Sequence, residues 1–202
     1  MNHVIIKCEP RCASSRLVSA YRLQGYFGFI VDSRNYRSKR VERELDRGKP
    51  CVVKDHSVQW MPKQHRKCSF IHLRRRSVFA QAMSKIVVHT LKGRVSFNPY
   101  HPRDTDTLDV QPWPVERKQV QHEMAIVHQH VEQTQQVLSQ TPHRVIYTED
   151  LVKDDRLIVE LTGSPPDYAK AGPYVRQSRL SPQFIVSNYS ELKQYFEPEA
   201  QT

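Results

Sequence analysis

The chain has 202 residues, 38% hydrophobic and 26% charged, which excludes a disordered composition and suits one domain with a sizeable core. Lysine and arginine number 31 against 21 acidic residues, a formal charge of +10. That balance favours an anionic partner, whether nucleic acid, phosphorylated cofactor or acidic surface, and says nothing of fold.

Val4 to Lys7 is a short apolar run with β-branched residues and predicts a buried strand. After it, from Ser14, come capping hydroxyls and then Leu17, Val18, Ala20 and Tyr21, which predict a helix. Tyr26 to Val31 reads either as the end of that helix or as a second strand. Asn35 to Asp46 (NYRSKRVERELD) is helix-compatible and is stopped by Gly48 and Pro50. Cys51 to Lys54 (CVVK) and Ser69 to Leu73 (SFIHL) predict further strands, and Trp60 to Lys63 a loop. Val78 to Leu91 predicts a buried helix carrying Phe79, Ala82, Met83, Ile86 and Val87 on one broad face. Gly93 to Pro114 holds four prolines and little periodicity, and predicts a long substrate loop. Glu116 to Gln140 is the clearest helix, with Val120, Met124, Val127, Val131, Thr134 and Leu138 stepping by three and four. Arg144 to Tyr147 (RVIY) is a strand again. Asp150 to Leu161 predicts a short helix, Ala169 to Pro182 a basic loop, and Asn188 to Phe196 a last helix capped at Ser190.

Strands alternating with helices predict an α/β fold: a three-layer sandwich around a central parallel sheet of about four to five strands, in a single domain over 1–202. Ligands in such sheets sit at the carboxyl ends of the strands. The four cysteines, at 8, 12, 51 and 68, form no Cys-x-x-Cys. Free thiols in a reducing compartment and no metal are expected. No signal peptide opens the sequence, and GYFGFIV is too short to span a bilayer. The expectation is a soluble, cytoplasmic protein without a transmembrane segment.

Three stretches fall at predicted strand ends. In EPRCASSRL, a turn at a helix start presents unpaired N–H groups and a positive dipole end. Ser14 and Ser15 add hydroxyls, and Arg11 and Arg16 add charge, so the turn could hold a phosphate without Gly-Lys-Ser/Thr. An ordinary serine N-cap would look the same. In LRRRSVFAQAMSK, Arg74, Arg75 and Arg76 bunch at a helix start, where the dipole disfavours cations, which points to an anion among them. A solvated basic face is the plainer alternative. In VVKDH, Lys54 and His56 are two apart, and a histidine works as a general base near neutral pH. A lone histidine is more often structural, and there are ten here.

Taken together and in order, these stretches resemble the sulfotransferase family that uses 3′-phosphoadenosine-5′-phosphosulfate (PAPS). PRCASSRL is similar to that family's 5′-phosphosulfate loop, Pro-Arg/Lys-Ser-Gly-Ser/Thr-Thr. LRRRSVFAQAMS is similar to its 3′-phosphate motif, an Arg followed eight or nine residues later by Ser. VVKDH resembles the Lys-Thr-His of the cytosolic branch, and VIYTEDL its Tyr-Glu-Asp-Leu segment. YVRQSRLSPQFIVSNYSEL resembles the carboxy-terminal loop and helix of bacterial and carbohydrate-type members.

The resemblance implies a P-loop NTPase-like sheet and an enzyme moving a sulfuryl group from PAPS to a hydroxyl of a carbohydrate, lipid or small molecule, leaving adenosine 3′,5′-bisphosphate. It implies that Arg11, Cys12, Ala13, Ser14, Ser15 and Arg16 cradle the 5′-phosphosulfate. Arg75 or Arg76, with Ser84, would hold the 3′-phosphate. Arg176, Ser178 and Arg179 would close over the nucleotide. His56 would take the acceptor's proton, beside Lys54, with Arg11 stabilising the leaving phosphate. No metal and no nucleic acid enter, and a bacterial or viral source fits. Cys12 and Ala13 depart from the family's Ser-Gly, and alanine gives up the freedom to adopt positive φ. The acceptor-facing Glu of many carbohydrate sulfotransferases has no good counterpart, Glu9 and Asp32 being poor candidates.

Two other classes compete. A P-loop kinase-like nucleotide enzyme would want Gly-Lys-Ser/Thr and an Asp for Mg²⁺. A non-catalytic basic protein binding nucleotide or nucleic acid fits the charge, but aromatics are 9% and are not interleaved with the basic runs. A degenerate sulfotransferase fold kept for another use stays open because of Ala13.

Overall fold

The computed structural model describes residues 3–9, 14–31, 38–94, 110–163 and 181–198. Five strands, β1 (His3–Cys8), β2 (Phe27–Val31), β3 (Cys51–Asp55), β4 (Cys68–Arg74) and β5 (His143–Tyr147), form one sheet in the order β2-β3-β1-β4-β5. Every pairing is parallel. The helices are α1 (Ser14–Leu23), α2 (Ser38–Asp46), α3 (Val78–Arg94), α4 (Arg117–Leu138), α5 (Thr148–Lys153), α6 (Asp155–Thr162), α7 (Pro182–Ile185) and α8 (Tyr189–Phe196).

The chain gathers into two interleaved compact units, Met1–Arg76 with Gln129–Gly172 and Ser77–His128 with Pro173–Thr202, where the sequence reading has one domain. The first unit holds the whole sheet. Strand side chains alternate between faces, and both faces of the central strands are apolar, as a parallel sheet covered on two sides requires. Val4, Ile6, Cys8, Val52, Ile71, Leu73 and Ile146 pack with Leu17, Ala20 and Tyr21 of α1, Leu151 of α5 and Ile158 of α6. On the other face Ile5, Val31, Val53 and Phe70 pack with Val41 and Leu45 of α2 and Leu138 of α4. The result is the three-layer α/β sandwich that the alternation of strands and helices predicts. Each such aliphatic side chain contributes about 1.5–3 kcal/mol on burial.

The second unit packs Phe79, Met83, Ile86 and Leu91 of α3 with Trp113, Val115, Val120, Ile185, Val186 and Leu192. Trp113 and Val186 form a bridge, and the Asn188 side chain both donates to Val115 O and accepts from its N–H, each at 3.0 Å.

Several expectations are sharpened or corrected. Tyr26 to Val31 resolves into strand β2. The helix expected over 150–161 is two: Asp154 is extended, its carboxylate accepts from Arg156 N at 2.8 Å, and so it ends α5 and caps α6. Gly163, at φ 81°, then terminates α6. Ser190 does not cap the last helix. It lies inside α8, whose cap position is Asn188, and that side chain is spent on Val115. Pro182, placed at the end of a loop, starts α7. Of the predicted loop over 93–114, residues 93–94 continue α3, while 95–109 lie outside the described residues.

Candidate functional site

In the strand order, β1 and β4 are neighbours whose chains leave in opposite directions. From β1 the chain runs by α1 to β2 at one edge. From β4 it runs to β5 at the other. A crevice opens outside the carboxyl ends of such a pair, and ligands of open α/β sheets bind there. Glu9 follows β1 at this point, Arg75 and Arg76 follow β4, and His56 follows β3.

His56 is half-buried and fixed by its surroundings. Its backbone N–H donates to Val31 O at 3.0 Å. Its ring Nδ1 lies 2.9 Å from Cys8 O. A carbonyl only accepts, so Nδ1 carries the proton and Nε2 carries the lone pair. The carbonyl of His56 in turn accepts from His130 Nε2, on α4, at 3.2 Å. The Cys8 thiol lies 3.6 Å from the same imidazole, yet burial pushes it up to about 12, so it stays a neutral thiol and no nucleophile. Ser14, buried in the first turn of α1, hydrogen-bonds that thiol. Lys54 is near enough for its charge to pull against the burial of Cys8.

Glu9 is 1% exposed, with His72 Nε2 at 3.5 Å and His130 Nδ1 at 3.6 Å from its Oε1. Burial alone would raise this carboxyl, but the two imidazoles outweigh burial and hold it down at about 2. It is a carboxylate enclosed by histidines, not an acid facing an acceptor.

A second buried ion pair lies two residues back, on β1. Lys7 Nζ is 2.7 Å from Asp55 Oδ2 and donates to the carbonyls of Ser57 at 2.9 Å, Val58 at 3.2 Å and Trp60. Burial pushes Asp55 up to about 6 against the pull of that ammonium. Asp55 Oδ1 accepts from Ser57 N at 2.7 Å. The pair fastens the turn that carries His56.

The predicted arginines divide. Arg76 is exposed, and its Nη2 donates to both Asp150 oxygens at 3.0 and 2.7 Å. Its guanidinium lies 4.2 Å above the Tyr147 ring, and its N–H donates to Glu149 at 3.1 Å. Arg75 beside it is half-buried. Arg16 pairs with Asp155 of α6 at 2.5 Å. Ser84 is buried on α3 and belongs to the second unit. Arg11, Cys12, Ala13, Arg176, Ser178 and Arg179 lie outside the described residues, as does the side chain of Ser15.

The structure thus brings His56, Lys54 and Ser14 together around Cys8. It adds five residues that sequence reasoning missed or set aside: Lys7, Glu9, Asp55, His72 and His130. A lysine inside the apolar run HVIIKC and an acid between Lys54 and His56 were the available signals. Among the described residues no group of three His, Cys, Asp or Glu is placed to hold a metal ion.

Fold and site together define an α/β protein with an open parallel sheet and a histidine–carboxylate network at the switch point. No family model, curated protein or solved structure matches the chain. None of its described helices is long and apolar enough to cross a membrane.

Proposed function

We propose that the chain is a PAPS-dependent sulfotransferase that moves a sulfuryl group to a hydroxyl of a carbohydrate, lipid or small-molecule acceptor. The observation that carries the reading is His56. It stands at the carboxyl end of the central strands, with Nδ1–H anchored on Cys8 O and its lone pair on Nε2. A base of that form takes a proton from an acceptor hydroxyl.

The chemistry around it suits a nucleotide with anionic groups at both its 5′ and 3′ ends. The first-turn N–H groups of α1 follow β1 at the crevice, where a helix start attracts anions. Arginines stand on the other side, after β4. Of the two arginines that the family spacing allows, Arg76 is exposed and Arg75 half-buried, and the more enclosed guanidinium is the better partner for the 3′-phosphate. The 5′-phosphosulfate would lie over residues 11–15. Bound there, PAPS supplies the sulfuryl group. The chain positions donor and acceptor, holds negative charge with N–H and guanidinium donors, and accepts one proton at His56 Nε2.

The test is transfer of labelled sulfate from PAPS into pooled hydroxyl acceptors. The wild-type chain should label an acceptor. His56→Ala should lose transfer while still binding adenosine 3′,5′-bisphosphate. Undiminished transfer by His56→Ala would remove it as the base, and absence of transfer by the wild type to any carbohydrate, lipid or small-molecule pool would overturn the reading.

A further inference from the structure

We infer that His130 is a positioning residue for His56, holding the base through its main chain; the inference rests on the reading of His56 as the base. His56 opens the turn after β3, a connection with no α-helix before β4. Its position therefore depends on what pins it individually. Its N–H is held by Val31 O, its ring by Cys8 O and its carbonyl by His130 Nε2. Asp55 and Lys7 pin the residues on either side, through Ser57, Val58 and Trp60.

His130 is the link between that turn and the buried carboxylate. One ring nitrogen, Nε2, faces the His56 carbonyl at 3.2 Å, and the other, Nδ1, faces Glu9 Oε1 at 3.6 Å. Glu9 is shared with His72 of β4 at 3.5 Å, and Asp55 is close enough to feel the charge of His130. One imidazole thus couples the ends of β1, β3 and β4 to α4. These contacts all lie within the first unit. A base displaced by about 1 Å loses on the order of a hundredfold in rate, so a side chain that fixes its backbone controls turnover without touching the acceptor.

Two amide substitutions separate this role from its alternatives. Glutamine places its amide nitrogen where Nε2 stands and keeps a donor for the His56 carbonyl. Asparagine places its amide nitrogen where Nδ1 stands and keeps only the donor for Glu9. The experiment is a long-range ¹H–¹⁵N spectrum of the full chain labelled at histidine, with His56 assigned by its loss in His56→Gln. It is run without nucleotide across the titration of the ring.

His130→Gln should keep the Nδ1–H form and the titration midpoint of His56. His130→Asn should mix the tautomers and move the midpoint. It should also lower kcat by about tenfold or more, with donor KM within about twofold. An unchanged His56 in His130→Asn, or equal changes in both variants, overturns the inference and leaves His130 as a counter-charge for Glu9. If His130→Asn does not fold, His130→Gln decides alone: a changed tautomer there overturns the inference and a preserved one supports it. Failure of the wild type to transfer sulfate would count against the enzyme reading, because the ring signals are read without nucleotide.

Discussion

Asp55 and Glu9 are both buried carboxylates at the ends of hydrogen-bonded strands, β3 and β1, and both would be raised by burial. Asp55 ends high, at about 6, although an ammonium lies 2.7 Å away, while Glu9 ends low, at about 2, with two imidazoles at 3.5 and 3.6 Å. The difference lies in which effect wins. At Asp55 burial outweighs the nearby ammonium of Lys7, which also donates to the carbonyls of Ser57, Val58 and Trp60 and so closes a turn. At Glu9 the imidazoles of His72 and His130 together outweigh burial. The close contact belongs to the pair that closes the turn, and the looser contacts belong to the network beside His56.

The largest break in this comparison should come from Lys7→Met. It leaves the Asp55 charge buried without its cation and three carbonyls without a donor, and should cost about 3–5 kcal/mol in urea denaturation. A loss below about 1 kcal/mol would show that the staple is not structural.

The pH dependence should separate the two carboxylates by sign. The unfolded Glu9 carboxyl, near 4.5, takes its proton before the folded one at about 2. Its contribution is present above pH 4.5 and is lost as pH falls toward 2. Asp55 runs the other way. Its folded value of about 6 exceeds the ordinary 3.8, so the folded chain binds more protons between those values and stability falls as pH rises through them. Each limb amounts to about 3 kcal/mol at most. Glu9→Gln should flatten the acid limb and Asp55→Asn the limb up to pH 6, each measured as unfolding free energy against pH. The same slopes in variant and wild type would contradict the assignment.

Smaller effects follow at the arginines. Arg75→Ala should weaken adenosine 3′,5′-bisphosphate binding on the order of tenfold or more by calorimetry, the loss of a charge-assisted hydrogen bond. Arg76→Ala should leave that affinity and the melting midpoint unchanged, because its exposed pair with Asp150 is screened by solvent. The reverse order would reassign the 3′-phosphate partner.

Four of the strands were legible in the sequence because each is a short β-branched or apolar run between turn residues, and their alternation with helices carried the parallel sheet with it; β2, an apolar run just after a helix, was left open between helix end and strand. The break between α5 and α6 was not, because Asp154 reads as an ordinary polar helix position until its carboxylate caps Arg156. At the site, His56 was legible from its place after CVVK. Glu9, His72 and His130 were not legible as partners. They come from three separate segments, and only the parallel register of β1 with β4 and the packing of α4 bring them together. Periodicity reports which face a residue takes on its own element and nothing about which distant carboxylate it will meet. His130, one of ten histidines in the chain and one of three on a long helix, carried no local mark of its role.

The proposed function requires this crevice to take an adenosine 3′,5′-bisphosphate nucleotide. Titration of the full chain with that bisphosphate, alongside ATP with Mg²⁺ and a short DNA, tests it most directly by thermal shift. The melting temperature should rise and saturate with the bisphosphate, by more than with either competitor. No stabilisation by the bisphosphate at millimolar concentration, with stabilisation by ATP or DNA, would contradict the proposed function.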